Sequence, residues 1–330
     1  MRPFDHGITS IPNYNPEFFH VPSSIPLRSV IAVWLLLVIS LAFMGNTFVL
    51  VSSLRSKSIK LDRISVTIIQ NIAITDICFS AHMGVSLVSV FADSWPFGEL
   101  ICMISNYWSI YFGIMELTLI CALNISKLTI LISPLQARCR RKSTAVLICG
   151  AIWVIPLANI LPSIALGRLV EFRRSFFRCE GYFTGRFYKL LPMVNMLVFM
   201  VFPMLIVAVG MGVLIYIVRR IEGIRRQGMV TLISISACYF LSFLPFGLYY
   251  VLRGPLGFSD NYFVGVYYYR VALFCTNCSF AANPIIYFLS LRSFRDYTVN
   301  QIAEVRHWTI SKFRGAVIVI SSSVFESFSA

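Results

Sequence analysis

Long apolar stretches separated by short basic clusters are the dominant pattern of this chain. A helix needs roughly 20 mostly apolar residues to cross a bilayer. Seven stretches meet that length: residues 27–54, 64–91, 100–132, 143–166, 190–218, 229–252 and 263–289. The third is long and carries several polar residues, which predicts a span buried among the others. After the seventh, "RSFRDYTVNQIAEV" sets Phe294, Val299 and Ile302 on one helical face, with Arg292, Arg295 and Asp296 elsewhere. That pattern predicts a short helix lying on the membrane surface. The fold class that follows is an all-α membrane protein: a seven-transmembrane helix bundle with a short amphipathic cytoplasmic helix after the last span. Four regions result: a tail over 1–26, the bundle over 27–289, the surface helix over 290–305 and a second tail over 306–330.

Composition agrees with the pattern. The chain is 58% hydrophobic and 13% charged, with a mean hydropathy of +0.78. A soluble domain of 330 residues has too much wet surface to hide that much apolar area. A formal net charge of +14 would fit a nucleic-acid binder. Here, however, the basic residues sit in clusters between spans, where they set orientation or meet anionic headgroups. No nucleic-acid partner is expected. Arg55, Lys57, Lys60 and Arg63 lie between spans one and two. Arg138, Arg140, Arg141 and Lys142 lie between three and four, and Arg219, Arg220, Arg225 and Arg226 between five and six. All fall on one side, which is cytoplasmic by the positive-inside rule and includes the C-terminus. The N-terminus is then extracellular. One outer loop runs against the rule, with Arg168, Arg173, Arg174, Arg178, Arg186 and Lys189. The first residues, polar and Pro-rich without a continuous apolar core, do not read as a cleavable signal.

On this topology only Cys102 and Cys179, of nine cysteines, face outside. That compartment permits a disulfide, which would pin the basic loop over the mouth of the bundle; two free thiols are the alternative.

A set of short motifs then appears in order. Span one carries Gly45–Asn46, span two "NIAITD" ending at Asp76, and the first outer loop "WPFGELIC". Span four has Trp153 and Pro162, span five Pro203, span six "FLPF" around Pro245, and span seven "NPIIY", with Phe294 following at a fixed spacing. Each alone is weak. Together, over about 27–305, they resemble the rhodopsin-like (class A) G-protein-coupled receptors. The resemblance implies a plasma-membrane receptor whose partners are an extracellular ligand, a heterotrimeric G protein, arrestin and membrane lipid.

The resemblance assigns roles residue by residue. Asn283, Pro284 and Tyr287 match the mobile Asn-Pro-x-x-Tyr segment. A proline inside a spanning helix frees a carbonyl and kinks it, and an amide or water beside it can supply a partner. A static kink is the plainer alternative. Asp76 matches the family's sodium-site aspartate, so a sodium ion there is the one cofactor implied. Glu116 departs from the family, which has a small polar residue at that place. It would set two carboxylates near Asn46, Ser279 and Asn283. Neighbouring acids rarely both stay ionised, so they would share a proton or a cation. A simply protonated, hydrogen-bonded Glu116 is the blander reading.

At the end of span three, Ser126, Lys127 and Leu128 stand where the family has Asp-Arg-Tyr. Lysine keeps the charge but loses the guanidinium fork. With Ser126 the neighbouring acid is gone, and Arg225 at the foot of span six offers none to hold Lys127; the receptor is then either loosely held and active without ligand, or couples poorly. In span six Ser242 and Phe243 replace the family's Cys-Trp, leaving Phe243 as either rotamer switch or packing.

The ligand pocket implied by the resemblance lies in the outer half, lined by Ser109, Gly113, Phe243, Phe246, Tyr250, Phe274 and Asn277. Ser109 stands where amine receptors have an aspartate, and Asn277 where visual pigments have a lysine. A peptide or lipid is therefore favoured over an amine, and retinal is not expected. The basic lid would attract an acidic peptide or anionic lipid, unless its arginines are taken up by headgroups or by Glu171 and Glu180. No nucleophile–base–orienter set, phosphate loop or metal site is present, so no enzyme is expected. Besides a signalling receptor, two readings remain: a receptor-like partner or decoy that does not couple, favoured by Ser126–Lys127–Leu128, and a channel or transporter, favoured by the intramembrane acids alone.

Overall fold

A computed structural model describes residues 24–55, 62–132, 142–174, 176–182, 190–220, 224–253, 262–291, 295–300 and 303, although some side chains near segment ends lie outside that description. The elements run α1 (Ile25–Arg55), α2 (Arg63–Ala92), α3 (Gly98–Ile132), α4 (Lys142–Val154), α5 (Leu157–Ala165), β1 (Leu169–Arg173), β2 (Arg178–Tyr182), α6 (Leu190–Met196), a π-helical turn (Leu197–Val201), α7 (Phe202–Val218), α8 (Ile224–Arg253) and α9 (Tyr262–Ser290). Seven helical stretches among these are long and apolar enough to cross a membrane. At 1.5 Å per residue, the 31 residues of α1 reach about 45 Å, beyond the ~30 Å hydrocarbon core.

Helix ends follow local chemistry. Asp62 caps α2 in an extended conformation (φ −66°, ψ 149°), and its carboxylate accepts from the Ser65 amide at 2.9 Å. Asp93 closes the same helix in the left-handed region at φ 50°. Gly98 (φ 77°) opens α3, and its carbonyl accepts from Trp95 Nε1 at 2.7 Å.

Spans four and five are less regular than the apolar runs predict. Span four divides into α4 and α5 because Pro156 lacks an amide hydrogen to continue the ladder. Span five contains the π-helical turn immediately before α7, which has Pro203 in its first turn. A wide turn relieves the clash between a proline ring and the preceding helix.

The third span is the most deeply buried of the seven, as its polar residues predict. Met115, Leu119, Ile120 and Leu123 sit at its centre in the main core, together with Ile68 and Ile72 of α2 and Tyr239 of α8. A second cluster stacks Phe79 of α2 on Phe280 of α9 at 3.8 Å between ring centroids. The described part of the outer loop is a hairpin of two strands. They run antiparallel and pair Phe172 with Cys179 and Glu171 with Glu180. Residues 295–300 are helical, while Phe294 and Ile302 of the expected surface helix lie outside the described residues.

Candidate functional site

A polar seam runs from the hairpin to the inner end of the bundle. At mid-depth, Asn46, Asp76, Glu116, Ser279 and Asn283 are all fully buried. Asn283 Nδ2 donates to Asp76 Oδ2 at 2.8 Å and to the Tyr239 hydroxyl at 3.2 Å, joining α9 to α2 and α8. Asn46 Nδ2 donates to the Ala42 carbonyl at 2.9 Å and across to the Phe280 carbonyl at 3.0 Å. Ser279 instead turns to its own helix, donating to the Thr276 carbonyl at 2.7 Å.

The Glu116 carboxyl faces that of Asp76. Among the described residues, none donates a hydrogen bond to Asp76 Oδ1, either Glu116 oxygen, Asn46 Oδ1 or Asn283 Oδ1. Two ionised carboxylates there would only repel, and a single shared proton turns the contact into a hydrogen bond. The exposed lone pairs are all oxygen, a donor set that suits a small hard cation or a proton. Among the described residues, no three His, Cys, Asp or Glu side chains cluster as metal ligands. Tyr287, one turn below Asn283, is fully buried. Pro284 packs against Gly45 so closely that a Cβ on Gly45 would lie 2.7 Å from its ring carbons.

At the inner end, Lys127 finds an acid that the sequence reading did not consider: its ammonium pairs with the Asp62 carboxylate at the start of α2. Burial pushes the Asp62 carboxyl up. The Lys127 charge and the bonds from Lys127 and Ser65 outweigh that, holding it below its ordinary value of 3.8. Ser126 is buried beside it. One turn earlier, Asn124 Nδ2 bridges α3 to Ser236 of α8 at 2.9 Å. The Arg225 side chain lies outside the described residues. A signal for the pairing was present: Asp62, with Ser65 three residues on, is a helix-start pattern beside a basic cluster.

At the outer end, a disulfide joins Cys102 of α3 to Cys179 of β2. The lid arginines are engaged locally. Arg173 lies 3.5 Å from Glu171, and Arg178 3.6 Å from Glu180. Arg174 pairs with Asp93, which Arg28 also approaches at 3.5 Å. The Arg174 hydrogen bond holds the Asp93 carboxyl below its ordinary value. Glu180 also accepts from the Tyr269 hydroxyl.

Beneath this lid is a cavity of about 270 Å³ between α1, α2 and α9. Of the pocket residues named from sequence, Phe274 and Asn277 line it. Ser109 is buried and accepts from Arg178 at 3.1 Å, so the lid reaches down to it. Gly113 faces open space. Phe243 is buried and stacks on Tyr239 at 5.8 Å, and Phe246 tilts against Tyr269 at 5.8 Å. The Tyr250 side chain lies outside the described residues. Sequence reasoning missed Trp34, His82 and Arg270, which line the cavity.

Comparison with known proteins places this geometry. The sequence matches the family described as 7 transmembrane receptor (rhodopsin family) over residues 45–287. It is 30% identical to "Rhodopsin, GQ-coupled" of Mizuhopecten yessoensis over 138 residues, which span 40% of this chain and 27% of that protein. It is 25% identical to "Lysophosphatidic acid receptor 5" of Bos taurus, covering 73% of this chain and 71% of the relative. The "RYamide receptor" of Tribolium castaneum is 23% identical, with 77% and 75% covered. The fold superposes on squid rhodopsin with a TM-score of 0.71 at 16% identity, covering 88% of this chain and 92% of the other. The chain belongs to the rhodopsin family of seven-transmembrane receptors.

Proposed function

We propose that this multi-pass plasma-membrane receptor takes an extracellular ligand of lipid or peptide type and drives nucleotide exchange on a heterotrimeric G protein. The observation that carries the reading is the Asn283 junction. One amide ties α9, with Pro284 in it, to α2 and α8 at mid-depth. A kinked helix held by a few buried hydrogen bonds can have two packings of similar energy, which a ligand above and a protein below would bias. Relatives named for lysophosphatidic acid and for RYamide support the lipid or peptide class. The absence of an acid at Ser109 weighs against an amine.

In this reading the N-terminus is extracellular and the C-terminus cytoplasmic, and arrestin competes with the G protein for the inner face. Asp76 and Glu116, with Asn46 and Asn283, would hold a sodium ion or a shared proton, either of which neutralises the buried charge. Lys127 supplies the cation that meets the G protein once it leaves Asp62. A second reading, a receptor-like protein that does not couple, is favoured by the lysine in place of arginine and by its engagement with Asp62.

The test is nucleotide exchange on a panel of heterotrimers in membranes from expressing cells. Wild type is compared with the Ser126→Asp, Lys127→Arg double variant at matched surface levels. Exchange by the wild type supports coupling through Lys127. A silent wild type beside an active double variant supports the non-coupling reading.

A further inference from the structure

We propose that the cavity beneath the lid is a binding site for a single-chain anionic amphiphile, with its acyl chain between spans one, two and seven and its carboxylate or phosphate against Arg178 and Arg270. The proposal rests on the receptor reading for its signalling consequence and names the ligand class of that receptor. It moves the site away from the centre of the bundle, since only two of the seven pocket residues expected from the family line this cavity.

Size, lining and charge carry the argument. At about 270 Å³ the cavity falls just below the ~300–1,000 Å³ of sites for drug-sized ligands, which suits an extended chain and excludes a folded peptide. Its walls are apolar: Leu35, Phe79, Met83 and Val90 line it with the stacked pair Trp34 and Phe274, whose centroids are 4.5 Å apart. Among the described residues, Arg178 and Arg270 are its charged lining groups, and no carboxylate lines it. Both cations are placed by the fold. Arg178 is held by Ser109 and Glu180, and Arg270 lies 5.8 Å over the Tyr267 ring. An anionic head accepts from these guanidiniums, beside the contacts that place them, with charge on both partners, a stronger bond than a neutral hydroxyl or carbonyl makes there.

Access points the same way. Tyr267, Val271 and Phe274 line the cavity and are also exposed on the surface of the bundle, at 56%, 57% and 47%. One wall is therefore at the bundle's perimeter. An amphiphile already dissolved in the outer leaflet reaches it without displacing the lid.

The experiment uses the full chain in nanodiscs of phosphatidylcholine. Three radiolabelled probes are titrated: oleate, oleoyl lysophosphatidate and the neutral monooleoylglycerol. The first two separate a carboxylate head from a phosphate head. Saturable binding of at least one anion, with the neutral probe at least about tenfold weaker, is expected, because a charge-assisted hydrogen bond is worth about that factor. Arg270→Gln should weaken the anion about tenfold by the same reasoning. Ser86→Phe, which fills the cavity without touching its charge, should weaken both the anion and any neutral binding. Thermal midpoints near wild type show that both variants are folded. Absence of saturable anion binding, equal binding of the neutral probe, or indifference to both substitutions would overturn the proposal. Nucleotide exchange is read in the same samples. Exchange without amphiphile binding overturns the ligand assignment and leaves the receptor reading standing. Binding without exchange supports the site and counts against coupling.

Discussion

Asn283 holds the polar middle of the bundle together, because its amide donates to both Asp76 and Tyr239. Asn283→Ala leaves two buried groups without their donor, and each such group costs about 1–3 kcal/mol. The variant is expected to unfold at a lower temperature than wild type in purified form; an unchanged midpoint would mean that water replaces the amide at no cost. Glu116→Gln acts in the other direction. Its amide donates to Asp76 and removes the need for a shared proton or cation. Basal nucleotide exchange in this variant should lose any response to sodium and to pH that the wild type shows. Asp62 lies outside the spans and its behaviour with pH has a definite sign. Its folded carboxyl is held below 3.8, so its contribution to stability is complete above that value. The contribution is lost only as pH falls through the lower folded value. Basal exchange should therefore not rise through Asp62 between neutral pH and about pH 5.

Between elements, α1 and α9 approach closely at Gly45 and Pro284. A Cβ on Gly45 would stand 2.7 Å from ring carbons that cannot rotate away, so the helices must separate. Gly45→Ala is expected to destabilise the bundle by about 1–3 kcal/mol, measured by thermal unfolding at matched expression. Seven spans were legible because a bilayer demands long apolar runs, and a soluble fold has no use for seven runs of that length. Predicted and observed ends agree closely: 64–91 against Arg63–Ala92, and 263–289 against Tyr262–Ser290. What the runs hide is their interior. Pro156 divides span four and Pro203 follows a π-helical turn in span five, and a hydropathy pattern is blind to both. The hairpin over the mouth was equally hidden. Its strands are five residues each, too short to stand out in a hydropathy pattern, and it is fixed by a disulfide 77 residues back along the chain.

The bundle is restrained at both ends, by a covalent lid at one and an ion pair at the other. Replacing Cys102 and Cys179 together by serine releases the hairpin. Loss of a disulfide that closes so long a loop typically costs about 2–5 kcal/mol. The thermal midpoint should fall, and the lid's amide hydrogens should exchange faster. The residues of the seam were largely legible, since acids and amides inside a membrane span are costly and persist where they act. Their partners were not. Lys127 and Asp62 are 65 residues apart, and Arg178 reaches Ser109 across 69, so both contacts exist only once the helices pack. On our proposal this receptor is held at rest by the Lys127–Asp62 pair and couples when the pair opens. GDP release from a purified heterotrimer, with receptor in nanodiscs and no ligand, tests this directly. Asp62→Ser keeps a side chain able to cap α2 but removes the charge. If the pair is worth about 1–2 kcal/mol, release should be faster than with wild type by roughly five- to thirtyfold. Equal rates from folded wild type and variant, or no acceleration over the heterotrimer alone by either, would contradict it.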